Sequence, residues 1–439
     1  MERSRRAHSG AHGGFDMSTM DVRVWLGHWP HILRQLDNFT VNLKRRQVSG
    51  PYNCAQFTIE LLRNVVGACR WGTAGQLMDC VRAIGRELVA AKPTELAVGN
   101  MVRRVLYIIR EEYSSALKAQ QEEQQATGVC VCVGDAATRS AAISGGSRRR
   151  GPRWWRGGRG AGGGRGGAAA VAGAGEVGAP SLQTVLGGSS SATDYGMHVP
   201  DLKQLVIEGI NELKTELRDM NSIIKENAAD TIHANEVILT FGQSGTVDQF
   251  LRAAAEHYGK SGLSFEVIVA EASPSRSGHI LAASLAKYGV QTTVVTDSAV
   301  FAVMARVNKV ILPTHAVVAN GGLVAQSGSH MIALAANELS VPVVCVTGLF
   351  KLCPLFPHDQ DTFNCLLEPS GVMTYKESDR MPNVEVLNPG YDYIPPELVD
   401  LFITNIGGHQ PSYTYRLLAE YYHRDDLSLG EEREERSGD

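Results

Sequence analysis

Two short stretches have the composition to hold an anion. Gly242-Gln-Ser-Gly245 and Ser327-Gly-Ser329 each stand where a helical pattern opens, so free backbone N–H groups would point outward from the turn. Glycine in a strand-to-helix turn also serves plain turn geometry, and neither stretch decides between the two uses. Of the stronger phosphate signatures, GxxxxGK[ST] is absent, and GxGxxG occurs only within the Gly/Ala-rich stretch 158–178, with no strand pattern ahead of it to give it a dinucleotide-binding context. Metal chemistry has less support. The eight cysteines are scattered, with only Cys130 and Cys132 close, and no CxxC pair occurs among them. The thirteen histidines show no ligand spacing. The sequence therefore predicts buried thiols in a reducing compartment, no structural metal and no cofactor.

The elements that must position these loops are clearest between Val237 and Val346. Apolar runs at 237–241, 265–270 and 291–296 alternate with helical patterns that end near Tyr258, span 278–288 and span 299–306. Residues 309–312, 316–319 and 341–346 supply further strands, and an Ala-rich helix lies over 329–339. Short Val- and Ile-rich strands alternating with helices predict βαβ units in a mostly parallel, Rossmann-like sheet covered on both faces. In such a sheet the loops at the carboxyl edge of the strands carry the ligands.

At 439 residues the chain should hold more than one domain, and 44% hydrophobic residues is enough for an ordinary core. A formal charge of −4 gives no global affinity for nucleic acid. Residues 1–20 are polar and read as a disordered tail. Residues 21–125 read as an all-α domain of about four helices. Thr73 is the N-cap of the third, which carries Leu77, Cys80, Val81, Ile84 and Leu88 on one face. Val98, Met101, Val102, Val105 and Ile109 form the stripe of the fourth, and Arg103, Arg104 and Arg110 read as its solvated face, with a partner contact as the alternative. Residues 126–200 read as a disordered insert. Its basic run at 147–160, with Trp154 and Trp155, fits an expanded linker first and a weak RNA contact second. Residues 201–425 hold a connecting helix, over 201–230, and the sheet domain. Within it 396–402 reads as a helix start, and 411–422 as a closing helix. Residues 426–439 read as a charged tail. No apolar run approaches the ~18 to 20 residues that span a bilayer, so no membrane contact is expected. No apolar segment follows Arg3, Arg5 and Arg6, which argues against a secretory leader and for the cytosol.

Taken in order, several pieces resemble one family. They are Phe241-Gly-Gln-Ser-Gly245, Glu271-Ala-Ser-Pro274 with Gly278-His279, Asn320-Gly321, Gly328-Ser329, and Tyr391-Asp-Tyr-Ile-Pro-Pro-Glu397. The family joins the regulatory subunits of initiation factor 2B to the methylthioribose-1-phosphate isomerases. Ile232-His-Ala-Asn-Glu236, Phe301-Ala-Val-Met-Ala-Arg-Val-Asn-Lys309 and Phe402-Ile-Thr-Asn-Ile-Gly-Gly408 are closer still to a regulatory member. The resemblance covers about residues 37–118 and 198–425.

The resemblance carries expectations about chemistry. The isomerases use a cysteine after the first sheet strand and an aspartate just before the Asn-Gly. Here those positions hold Gly242 and His315, and a lysine the isomerases carry falls at Gln326. Glycine offers neither nucleophile nor acid, and His315 has no partner for proton transfer. The implied site is a vestigial pocket of Gly242, Ser244, Gly245, His315, Asn320, Gly321, Gly328 and Ser329, with no catalytic residue. The implied function is that of a non-catalytic regulatory and scaffolding subunit of the complex that exchanges guanine nucleotide on initiation factor 2. The implied partners are the other subunits of that complex, especially delta and gamma, and the factor itself, including its phosphorylated alpha subunit. His233, Asn235 and His279 are expected on the face that meets the delta subunit. Loop residues Phe350, Leu352, Leu355, Phe356, Tyr391 and Tyr393 fit an interface core or ordinary loop packing equally well. An active sugar-phosphate isomerase, and an RNA-binding protein acting through the Arg/Gly-rich segment, are the alternatives.

Overall fold

The computed structural model describes residues 22–128, 194–259, 264–357, 363–381, 383–427 and 429. The basic run at 147–160, and with it the RNA contact, lies outside the described residues. Contacts divide the chain into one compact unit made of the residues up to Glu112 and from Gly196 onward, and a second made of Tyr113–Tyr195. In the second unit the Tyr113 and Tyr195 rings lie 5.3 Å apart, and the Tyr113 hydroxyl donates to the Asp194 carbonyl at 2.6 Å.

The helical region opens with α1 (Val22–Leu26) and α2 (Pro30–Lys44), followed by α3 (Pro51–Ala68), α4 (Ala74–Ala91) and α5 (Leu96–Gly128). The first helical stretch breaks at Gly27-His-Trp-Pro30, because Pro30 cannot donate into a preceding turn and instead starts a new helix. Thr73 caps α4 as its sequence position requires, accepting from the Gln76 amide at 3.3 Å. Gly85 lets α4 approach α5 closely: a Cβ there would lie 2.5 Å from the Val102 side chain. Helix α6 (Leu202–Glu226) buries Val206, Ile210, Leu213, Leu217, Met220 and Ile224, and packs on α3 on one side and on the first helix of the sheet region on the other.

The sheet region follows with β1 (Val237–Phe241), α7 (Gly245–Gly259), β2 (Glu266–Ala270), α8 (Gly278–Lys287), β3 (Gln291–Val295), α9 (Val300–Met304) and β4 (Lys309–Pro313). Next come β5 (Ala316–Val317), β6 (Leu323–Gln326), α10 (Ser329–Glu338), β7 (Val343–Val346), β8 (Tyr391–Ile394), β9 (Leu401–Thr404), β10 (Gly407–His409) and α11 (Thr414–Tyr421). Seven strands make one sheet in the order β10-β9-β7-β4-β1-β2-β3, parallel except for β10. Leu239 of β1 pairs in register with Ile268 of β2 and Val310 of β4. Strands β5, β6 and β8 form a separate antiparallel sheet. The mostly parallel α/β architecture is the expected one. It follows from strands so apolar that they must be covered on both faces.

Three expectations need correction. The stretch at 396–402 does not begin a helix. A 3-10 turn over Pro396–Leu398 leads into β9, whose Leu-Phe-Ile-Thr sequence favours a pleated, buried strand. Arg103, Arg104 and Arg110 are not a solvated face, being 5%, 8% and 6% exposed. The charged tail does not begin at residue 426, because Asp426 is fully buried. The last two corrections share one cause: Arg110 pairs with Asp426 inside the protein, and Arg103 and Arg104 donate to backbone carbonyls on either side of it.

Candidate functional site

In this sheet the strand order reverses between β1 and β4, with β2 and β3 on one side and β7 and β9 on the other. Loops leaving the carboxyl ends of those two central strands frame the crevice where such folds bind ligands. Gly242 follows β1 and His315 follows β4, so the chain topology delivers both positions to the correct edge.

The side chains do not assemble a reaction centre there. Gly242 sits at φ 62°, and a Cβ on it would lie 2.5 Å from Gln326 Oε1 and 3.2 Å from Ser277 Oγ. Gln326 in turn donates from Nε2 to Ser275 Oγ at 3.2 Å, tying β6 to the loop after β2. His315 points to the helical region instead. Its Nε2 lies 3.2 Å from the Thr94 carbonyl and 3.5 Å from Glu95 Oε1, and its ring lies against Tyr391 at 4.5 Å. A carbonyl partner places the proton on Nε2. Burial holds the imidazole below its ordinary pKa, and nearby Lys351 adds to the shift while Glu95 opposes it. His315 is therefore a neutral donor packed between regions. Lys351, also buried, donates to the Thr314 carbonyl at 2.7 Å, and burial pushes its pKa down to about 8.

Of the two candidate anion loops, the one at the start of α10 is already engaged by a carboxylate of this chain, and the one after β1 is shaped by its own helix start. In the loop after β1, Ser244 begins α7. Its carbonyl accepts from the Asp248 amide at 2.9 Å, and its hydroxyl lies 3.5 Å from the Val247 amide, with Gly245 the first helical residue. At the start of α10, Asp392 of β8 supplies the anion: its Oδ2 accepts from the Gly328 amide at 2.6 Å and from the His330 amide at 3.3 Å. Gly328 is a glycine of necessity, at φ 102° with Phe241 where a Cβ would stand. Ser329 is fully buried beside it. Asp297 does the same for the loop after β2, accepting from the Ala272 and Ser273 amides at 2.9 and 2.6 Å. Asn320 and Gly321 shape the turn between β5 and β6. Asn320 accepts from the Gly322 amide at 2.9 Å and donates to the Tyr393 hydroxyl at 2.6 Å, while Gly321 N–H donates to the Val318 carbonyl at 2.9 Å. Carboxylates thus occupy helix-start and loop amides that could otherwise receive a phosphate. Asp392 stands inside the quoted Tyr391–Glu397 stretch, yet nothing in a sequence says which distant amides an aspartate will reach.

The three interface candidates are exposed but do not share one end of the sheet. His233 and Asn235 precede β1 at the amino edge. His279 follows β2 at the carboxyl edge, with Nε2 3.4 Å from Glu271 Oε2. The five-residue strands between the two edges are roughly 16 Å long. The three candidates therefore lie at opposite ends of the strands, about one strand length apart. Asn235 holds a left-handed turn at φ 60°, its amide donating to the Ser264 carbonyl at 2.8 Å. Of the loop aromatics and aliphatics, Phe350 and Leu352 are buried within the chain, whereas Phe356 is 53% exposed and paired with Tyr415.

A sequence profile described as the Initiation factor 2 subunit family matches residues 47–411. The chain belongs to this family. Among Initiation factor 2 subunit family proteins, it is 43% identical to the translation initiation factor eIF2B subunit beta of Dictyostelium discoideum over 391 residues. That match covers 89% of this chain and 96% of the relative. A chain from the crystal structure of the tetrameric eIF2B-beta2-delta2 complex of C. thermophilum matches with a TM-score of 0.59 at 26% identity, over 91% of this chain and 99% of that one. A more distant relative is the ribose 1,5-bisphosphate isomerase of Pyrococcus furiosus, 30% identical over 226 residues. That match covers 51% of this chain and 68% of the enzyme. The likeness to the beta subunit thus runs nearly end to end, whereas that to the isomerase covers about half of this chain.

Proposed function

We infer that this chain is a non-catalytic regulatory and scaffolding subunit of the complex that exchanges guanine nucleotide on translation initiation factor 2. The observation that carries the reading is the nearly full-length likeness to a beta subunit, with 96% of that relative covered. The site geometry supports it. Where the family resemblance puts an isomerase's nucleophile and acid, the chain has a glycine at φ 62°, where a side chain would be strained and would meet Gln326, and a buried neutral histidine facing the helical region. The likeness to a chain of a beta–delta tetramer supports assembly with a delta-type subunit. A gamma-type subunit, and initiation factor 2 with its alpha subunit phosphorylated, complete the set of partners in this reading, and the cytosol is its place. No helix among the described residues is long and apolar enough to cross a membrane.

The test is co-expression of the tagged chain with a delta-type subunit, followed by native mass spectrometry and two assays. The expected result is a defined heteromer. The chain alone should give no turnover of a phosphorylated aldose and no acceleration of nucleotide release. Turnover abolished by His315→Ala would overturn the non-catalytic reading, and failure to form any heteromer would overturn the scaffolding one.

A further inference from the structure

The described C-terminal end is bolted into the helical region. After α11, residues Arg424–Asp426 make a 3-10 turn that buries Asp426 completely. Arg110 of α5 donates from Nε to Asp426 Oδ2 at 2.8 Å and from Nη2 to Oδ1 at 3.2 Å. Arg82 of α4 donates to the same Oδ1 from Nη2 at 2.8 Å and from Nε at 3.2 Å. On either side of the aspartate the backbone is held as well. Arg103 Nε donates to the Leu427 carbonyl at 3.0 Å. Arg104 Nη1 donates to the Tyr421 carbonyl at 3.1 Å, with its guanidinium 4.1 Å from the Tyr421 ring centre. The outer charges are Asp79, 2.9 Å from Arg82, and the half-exposed Asp425, 3.4 Å from Arg110.

Four arginines of the helical region thus grip seven consecutive residues at the end of the sheet region. A guanidinium does not give up its proton, so withdrawing Asp426 would take a carboxylate from Arg110, which is buried, and from Arg82, which is partly exposed and keeps Asp79. Removing one partner of a buried ion pair is costly, and water admitted between the helices would offset part of that cost. We propose that residues 421–427 are a releasable clasp: seated, it fixes α4 and α5 on the sheet region, and withdrawn, it frees the helical region to shift. The clasp does not depend on the assignment of the chain to an exchange complex, because every group in it belongs to this chain.

Amide hydrogen exchange on the full chain tests it. Asp426→Asn keeps the size and one acceptor oxygen but removes the charge. The expected result is exchange faster by about tenfold or more in α4 and in residues 96–112, with β1, β2 and β4 unchanged. Asp425→Asn, at the rim, should leave both regions as they were. Acceleration spread evenly over the strands, no acceleration at all, or an equal response to Asp425→Asn would overturn the clasp. Should Asp426→Asn fail to accumulate, Arg82→Gln leaves the two-bond contact with Arg110 in place. It should show the same regional pattern at smaller amplitude, and a uniform response or none would again overturn the proposal.

Discussion

At the scale of single residues, the site is governed by two positions whose chemistry is set by space and burial. Gly242→Cys restores the residue the isomerases would carry, but it places an L side chain at φ 62° against Gln326 and Ser277. We expect a loss of roughly 1 to 2 kcal/mol in chemical denaturation, and no turnover. Adding Gln326→Ala should recover only part of the loss, because it removes the collision and leaves the backbone strain. His315 makes a prediction about pH. Burial lowers its folded-state pKa from the ordinary 6.5, so below that value the unfolded chain takes up a proton that the folded chain refuses. Stability must then fall as pH drops through 6.5, and level off once the folded value is passed. His409 and His423 are shifted the same way by burial, so the clean measurement is the difference between the wild type and His315→Gln. That difference should change with pH below 6.5 and be constant above it. Asn235, in its left-handed turn, should tolerate glycine, whereas alanine should cost about 1 kcal/mol in the isolated chain. A stability loss with Asn235→Ala is therefore no evidence about an interface, and co-assembly must be scored with Asn235→Gly.

At the scale of elements, the helical region rests on how closely α4 meets α5. Gly85→Ala would ordinarily help a helix by about 0.5 to 1 kcal/mol. Here its methyl group would arrive 2.5 Å from Val102, a buried and stiff β-branched side chain. The net effect should be destabilising by roughly 1 to 3 kcal/mol, visible as a lower denaturant midpoint with an unchanged slope. Val102→Ala makes room, so the double variant should be more stable than the sum of the single changes by about 1 kcal/mol or more. A stabilising Gly85→Ala would mean the two helices are free to separate.

At the scale of the whole molecule, several large apolar side chains between α8 and the end of α10 face solvent. Phe301 is 58% exposed and Leu334 51%, with Ile280, Tyr288 and Val294 comparably open. Strand β3, the sheet edge nearest in sequence to most of them, has mostly exposed side chains of its own. An edge strand and apolar helices left uncovered suit a chain that functions inside an assembly. Under the proposed function, Phe301→Asp combined with Leu334→Asp should reduce the heteromer fraction seen with a delta-type subunit. The melting temperature of the chain alone should stay within about 2 °C, since neither side chain is buried. An unchanged heteromer would place the delta-type contact elsewhere on the chain.

The sequence by itself determined what is local. Runs such as Val237–Phe241 and the cap at Thr73 are set by side-chain periodicity and by one side chain reaching its own backbone, so the alternation of β1 to β4 with their helices could be read directly, whereas β6, β8, β9 and β10 could not. The family resemblance added which loops matter and which reactive residues are missing from them. Tertiary structure alone decided the polar pairings. Asn100, Arg103, Arg104, Tyr107 and Arg110 recur at helical spacing along α5, and such a stripe looks the same whether it faces water or partners. Asp426, 316 positions away from Arg110, turns part of it into a buried contact. Asp392 in the same way reaches the start of α10 across 64 positions, and His315 reaches Thr94 across 221. Hydrophobic burial follows a pattern that neighbours in sequence share. A hydrogen bond or ion pair needs two particular groups within about 3 Å, and only the folded path of the chain determines which groups those are.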